Sequence, residues 1–225
     1  RGKILETVSE TGGHLASNLG VVELTIALHS VFNTPIDKIL WDVGHQTYIH
    51  KILTGRKDGF TDSNNYLKYT GYTAPEESEH DIFKIGHTST SVSLATGLQK
   101  ARDVKGTKEN IIAIIGDGSF TNGMAYEALN NASAKELKLI ILVNDNEMSI
   151  SKNVGGLPKY LSKIRVSRGY FRFKWVTKRL GALPLLGKPF VKISAWIKNL
   201  IRRLTLKSTM FEDLGLDYIG PVDGN

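Results

Sequence analysis

The sequence predicts an α/β domain built on a parallel β-sheet with helices on both faces. Three observations lead there. Residues 111–115 (Ile-Ile-Ala-Ile-Ile) and 139–143 (Leu-Ile-Ile-Leu-Val) are continuous apolar runs, β-branched and too short for helices. A helix-forming stretch, residues 124–134, lies between them and leaves room for the crossover that parallel strands require. Each run then stops at a polar, turn-forming triplet, Gly116-Asp117-Gly118 after the first and Asn144-Asp145-Asn146 after the second. Strands apolar on both sides belong to a sheet covered on both faces.

The remaining elements follow along the chain. Residues 21–32 have near-helical apolar spacing and end before Asn33-Thr34-Pro35, where proline disfavours continuation. Residues 39–43 form a short apolar strand entering Gly44-His45, and a helix follows over 46–53. Residues 54–81 are polar and rich in Gly, Asn, Thr and Pro, which predicts a long surface loop, of the length usually reserved for function. Residues 89–102 carry many small side chains and predict a closely packed helix. Beyond 152, breaks near Pro184 and Pro189 separate an aromatic-basic stretch from an amphipathic one, in which Ile193, Ile197, Leu200, Ile201 and Leu204 share one face.

Composition narrows the chemistry. The 225 residues contain no cysteine, which removes disulfides, thiolate metal sites and cysteine nucleophiles. No apolar run is long enough to span a bilayer, and no signal peptide opens the chain. The first residue is Arg1 rather than Met, and the final Gly-Pro-Val-Asp-Gly-Asn reads as a turn, so a piece of a longer protein is expected. The net charge of +7 is uneven: residues 152–207 hold 15 Lys and Arg and no acid, whereas residues 1–151 hold 14 basic and 18 acidic residues. Basic residues among Tyr170, Phe171, Phe173 and Trp175 raise a nucleic-acid or membrane-surface reading for that segment. The simpler expectation is a solvated segment packed by its apolar face, with neither nucleic acid nor membrane as partner, since basic charge attracts anions of any kind.

In a parallel sheet, ligands collect beyond the carboxyl ends of the strands. Asp117 and Asn146 follow two adjacent strand ends, and a carboxylate with an amide oxygen suits Mg²⁺. Gly116 and Gly118 let the backbone approach a diphosphate, and the helix that follows directs its N-terminus at the same anion. Taken alone, Gly-Asp-Gly reads better as an ordinary turn. Its pairing with Asn-Asp-Asn favours a metal–diphosphate site.

Gly-Asp-Gly, 27 residues, Asn146 and then Met148-Ser149-Ile150-Ser151 resembles the thiamine-diphosphate motif of the transketolase group. Residues 11–20 (TGGHLASNLG), 41–46 (WDVGHQ), 50–56 (HKILTGR), 86–91 (GHTSTS), 144–151 (NDNEMSIS) and 218–224 (YIGPVDG) resemble, in order, the 1-deoxy-D-xylulose-5-phosphate synthase family. The resemblance implies a transketolase-like, thiamine-diphosphate-binding fold for residues 1–225, with 152–207 a basic, partly mobile insertion over a site that receives acidic, phosphorylated substrates. It also implies condensation of pyruvate with D-glyceraldehyde 3-phosphate, with loss of CO₂, in a cytoplasmic or plastid homodimer. Asp117, Asn146 and the Met148 carbonyl would hold Mg²⁺. His45, Gly86, His87, Thr88, Gly118, Ser119 and Asn146 would bind thiamine diphosphate, and His14 would stand near the reacting carbons as the catalytic histidine. The family's glutamate and phosphate-gripping arginines come from a following domain, so these residues alone are expected to be inactive. A transketolase or the E1-type half of another thiamine-diphosphate enzyme shares the Asp/Asn pair, but not the GHLAS, GHTSTS and GPVDG blocks.

The residues themselves leave the histidines more open. A structural role is the ordinary one for each, and the loop positions of His45 after Gly44 and His87 after Gly86 tilt these two toward function. His14 rests on the resemblance, while His29, His50 and His80 are expected to be structural or on the surface. Residues 69–78 depart from the family pattern, as do Asn225, where His is usual, and Ser119, where Ala is common.

Overall fold

The computed structural model describes residues 1–133, 137–145, 156, 210–220, 222 and 224. Its backbone contacts divide the chain into two compact units, Arg1–Asn153 with Gly224–Asn225, and Val154–Asp223. The predicted insertion, 152–207, lies outside the described residues except for Gly156. In the second unit a short helix, Met210–Asp213, carries Phe211, whose ring stacks on Tyr218 at 5.4 Å.

The first unit holds the predicted parallel sheet. Strands β1 (Lys38–Trp41), β2 (Ile111–Gly116) and β3 (Leu139–Asn144) run in the order β1-β2-β3, with Trp41 opposite Ile114 and Gly116 opposite Asn144. The central strand is apolar on both sides because both sides are covered; residues 111–115 are all essentially inaccessible. On one face Ile39, Trp41, Ile112 and Ile114 form a core with Leu28 of α3 (Val22–Val31), backed by Leu24, Phe32 and Leu142. α6 (Ser91–Lys105) packs along all three strands without entering that cluster, which assigns it to the other face. Its Ala95 and the Ala125, Ala128 and Ala132 of α8 (Gly123–Ser133) are buried, the close packing that small side chains permit. α6 ends at Gly106, a left-handed cap at φ 69° whose N–H returns to the Arg102 and Asp103 carbonyls.

Two features differ from expectation. Helices α1 (Gly2–Thr11) and α2 (Leu15–Leu19) precede α3, and with α4 (Tyr48–Leu53) and α5 (Asp58–Thr61) they enclose a second core of Ile4, Val8, Val22, Tyr48, Ile49 and Phe60. The segment 54–81 is also not simply a surface loop. It contains α5 and a 3₁₀ turn at Ser63–Asn65, and Arg56, Thr73, Ala74 and Asp81 within it are buried.

Ionic pairing explains how so polar a segment reaches the interior. Arg56 grips Asp81 through both guanidinium nitrogens, at 2.7 and 2.9 Å, and the Ala74 N–H donates to the same carboxylate at 2.8 Å. Glu77 pairs with the fully buried Lys51 and takes the Thr70 N–H at 2.7 Å. His50, also fully buried, meets Asp81 through Nε2 at 3.1 Å and His29 Nε2 through Nδ1 at 2.9 Å. A neutral His50 satisfies both, donating from Nε2 and accepting at Nδ1 from the His29 N–H. His50 is therefore structural, as expected.

This cluster makes stability pH-dependent. Burial, with His50 and His80 nearby, holds His29 down to about 4, below its ordinary 6.5. Burial also lowers His50, against the pull of Asp81. Between about pH 6.5 and 4 the unfolded chain binds more protons, so stability rises with pH across that window and is lost on acidification. Urea midpoints at pH 7.5 and 5 are expected to differ, and His29→Gln to narrow the gap by about 1 kcal/mol, a value discounted for partial exposure. An unchanged gap in that variant would remove His29 as a cause.

Candidate functional site

The site begins where β1 ends. After Trp41 the chain turns sharply: the Gly44 N–H closes on the Asp42 carbonyl at 2.7 Å around Val43, whose φ is 64°. A β-branched residue in this conformation is strained and persists only where its surroundings over-determine it. Gly44 follows at φ 90°, and a Cβ there would come within 3.0 Å of the Thr73 nitrogen and hydroxyl. The turn therefore needs glycine for both conformation and space. It delivers His45 beside His14, ring centroids 5.3 Å apart in an edge-to-face arrangement.

A buried asparagine ties these two histidines together. Asn18 donates from Nδ2 to the carbonyls of His14 (2.7 Å) and His45 (2.9 Å), and its Oδ1 accepts the Tyr48 N–H at 2.9 Å. His45 Nε2 lies 3.1 Å from the Ser17 hydroxyl, while the exposed Tyr72 ring rests edge-on against His14 at 5.5 Å. Burial and then the neighbouring His14 lower the pKa of His45, only partly offset by Asp42, so its neutral form is favoured. The buried Nδ1 atoms of His14 and His45 have no hydrogen-bond partner among the described residues.

At the end of β2, Asp117 is 9% exposed and opens a single helical turn, α7 (Asp117–Phe120); α8 starts separately at Gly123. The helix expected over 124–134 is thus α8, and the short turn α7 lies between it and β2. A Cβ added at Gly116 or at Gly86 would meet nothing within 4 Å, so both glycines border open space. Gly86, His87 and Thr88 are exposed, and His87 Nδ1 lies 3.1 Å from the Thr88 carbonyl. Ser119 is half-buried, and its carbonyl accepts from the Ser89 hydroxyl at 2.5 Å. Asn146 and Met148 lie outside the described residues, but β3 pairs with β2 through Asn144 opposite Gly116, two positions before Asn146. Among the described residues no three His, Asp or Glu side chains gather as a metal site. The expected donor set holds one carboxylate, with its other two ligands outside those residues.

Sequence reasoning did not single out Asn18, Asp42, Ser89 or Tyr72. Asp42 carried a legible signal: a carboxylate directly after an apolar strand is costly unless something there needs it. The other three hold their places through partners far along the chain.

A parallel sheet with loops from two strand ends stitched together, a buried glycine-flanked aspartate and open space beside the backbone defines an α/β domain of the kind whose ligand sites lie beyond the carboxyl ends of the strands. The chain belongs to the 1-deoxy-D-xylulose-5-phosphate synthase family, whose model matches residues 1–225. It is 51% identical to the 1-deoxy-D-xylulose-5-phosphate synthase of Clostridium kluyveri, over 99% of this chain and 36% of that protein. The corresponding synthase of Caldanaerobacter subterraneus is 52% identical over the same shares. That of Syntrophotalea carbinolica is 50% identical over 100% of this chain and 36% of the relative. The chain thus spans about a third of the length of the curated relatives it matches.

Proposed function

We propose that this chain binds Mg²⁺ and thiamine diphosphate and forms part of an enzyme that condenses pyruvate with D-glyceraldehyde 3-phosphate, releasing CO₂, to give 1-deoxy-D-xylulose 5-phosphate. The observation that carries the reading is that β1 and β2 are adjacent and parallel, so that the β1 turn bearing His45, paired with His14, and the buried Asp117 both follow the carboxyl ends of neighbouring strands. End-to-end membership of the synthase family supports the choice of reaction.

In this reading Asp117, Asn146 and the Met148 carbonyl supply hard oxygen ligands to Mg²⁺. Gly118 and Ser119 would face the diphosphate, and Gly86, His87 and Thr88 would meet it from the loop that Ser89 ties to Ser119. The open space beside Gly116 and Gly86 fits a group that approaches the backbone closely. When bound, thiamine diphosphate supplies the electron sink that lets a 2-oxo acid lose CO₂ and a new carbon–carbon bond form. His45, favoured as a neutral imidazole, contacts the cofactor without adding positive charge beside it. His14, its main chain fixed by Asn18 and Tyr48, is the residue that orients substrate and moves a proton at the reacting carbons. A homodimer, a cytoplasmic location and a place in isoprenoid precursor synthesis belong to the same reading and rest on family resemblance. No helix among the described residues is long and apolar enough to cross a membrane.

Calorimetry of the purified chain with thiamine diphosphate tests the proposal. Binding is expected with Mg²⁺ and is expected to disappear with EDTA; no heat of binding in either condition would overturn it. The chain alone is expected to form no 1-deoxy-D-xylulose 5-phosphate. Fused ahead of the remaining part of the Clostridium kluyveri relative, it is expected to form it.

A further inference from the structure

The loops that this reading assigns to the cofactor meet at one buried serine. The Ser89 N–H donates to Asp42 Oδ2 at 2.9 Å, and its hydroxyl donates to the Ser119 carbonyl at 2.5 Å. Asp42 is itself 1% exposed, and its other oxygen accepts the Ser91 N–H at 3.1 Å. One carboxylate at the end of β1 thus holds residues 89–91 at the start of α6, and the serine hydroxyl carries that hold across to the turn at the end of β2.

The backbone at Ser89 shows why the side chain matters. Its φ is 69°, in the left-handed region where a residue with a Cβ is strained by about 1–2 kcal/mol. Glycine would adopt this backbone freely. The serine supplies what glycine cannot, the hydroxyl that reaches Ser119. Strain of this kind gathers where a structure must hold one geometry, and Val43, next to Asp42, is strained in the same sense at φ 64°.

We propose that Asp42 and Ser89 form a positioning pair that sets residues 86–88 and the Gly118–Ser119 turn at one spacing, so that cofactor affinity depends on two residues that need not touch the cofactor. The inference rests on the proposed reading of the site as one for thiamine diphosphate. Both side chains are spent on the protein's own backbone: the carboxylate accepts two N–H groups and the hydroxyl one carbonyl. The pair therefore acts through the loops it ties.

Ser89→Gly separates positioning from simple support, because it removes the hydroxyl while relieving the backbone. In the 225-residue chain, its melting temperature is expected to stay within a few degrees of the original while the Kd for thiamine diphosphate with Mg²⁺ rises about tenfold. The amide signals of Gly118 and Ser119 should shift in its NMR spectrum. Ser89→Ala keeps the strain without the hydroxyl, and should match Ser89→Gly in affinity but melt lower. Asp42→Asn, which leaves one acceptor oxygen for two donors, should shift the Ser89 and Ser91 amides and weaken binding similarly. If the unaltered chain binds no thiamine diphosphate, the reading of the site fails and this inference with it. If the unaltered chain binds, and Ser89→Gly binds equally well with the Gly118 and Ser119 amides unmoved, only this inference fails.

Discussion

Asp117→Asn is expected to lower the Mg²⁺-dependent affinity for thiamine diphosphate by about 100-fold, close to 3 kcal/mol. In the proposed site Asp117 is the only charged ligand among three, so the substitution removes the formal negative charge that a hard, strongly hydrated cation needs in exchange for its water. Asparagine has nearly the same size, which keeps the packing at a position only 9% exposed. The folded structure is thus expected to survive, and circular dichroism of the variant should match the original. Calorimetry at fixed Mg²⁺ measures the effect. An unchanged affinity would mean that the metal is held elsewhere.

The second large effect is on stability. Asp81→Ala is expected to cost about 3–5 kcal/mol, because it leaves buried Arg56 only its longer contact with Glu77 at 3.3 Å and removes the acceptor from buried His50. Burial by itself would raise the Asp81 carboxyl, but donation from Arg56, His50 and the Ala74 N–H outweighs it and leaves the carboxyl well below the ordinary carboxylate range. Its contribution is therefore complete above the unfolded-state value, near 3.8, and is lost as pH falls toward the folded-state value. The exposed pairs Lys3–Glu6 and Lys84–Glu76 should contribute far less, because solvent screens them. Urea unfolding at pH 7 distinguishes the two kinds of pair; a loss below about 1 kcal/mol in Asp81→Ala would mean that water already reaches the cluster. The same substitution frees the Ala74 amide next to Thr73, which packs on Gly44, so the β1 turn should loosen as well.

The parts of this fold legible in sequence are those whose signal is local. The runs at 111–115 and 139–143 became β2 and β3 within one residue, because a strand buried on both faces is apolar throughout. β1 was expected to reach Val43 but ends at Trp41, since Val43 sits at φ 64°, where no strand can continue. The helix expected from residue 89 starts at Ser91, for Ser89 is held left-handed by Asp42. Neither change is visible in propensity: valine favours strands, and serine gives no warning of positive φ. The change at Ser89 is imposed by Asp42, 47 residues away along the chain.

The segment 54–81 shows the same limit on a larger scale. Its composition reads as surface, and each of Lys51, Arg56, Glu77 and Asp81 taken singly belongs in water. Together they neutralise one another inside the protein, which only their meeting in space can reveal.

Sequence by itself determined the parallel α/β class, the two polar strand ends that carry Asp117 and Asn146, and membership of the synthase family. Each of these is written in contiguous residues, as an apolar run, a turn triplet or an ordered set of short blocks. Tertiary structure alone decided that Asn18 locks His14 to His45, and that burial then favours the neutral form of His45. It decided equally that Asp42 and Ser89 tie the start of α6 to the turn after β2. Hydrogen bonds and desolvation act between groups brought together by folding, and chain order carries no record of that proximity.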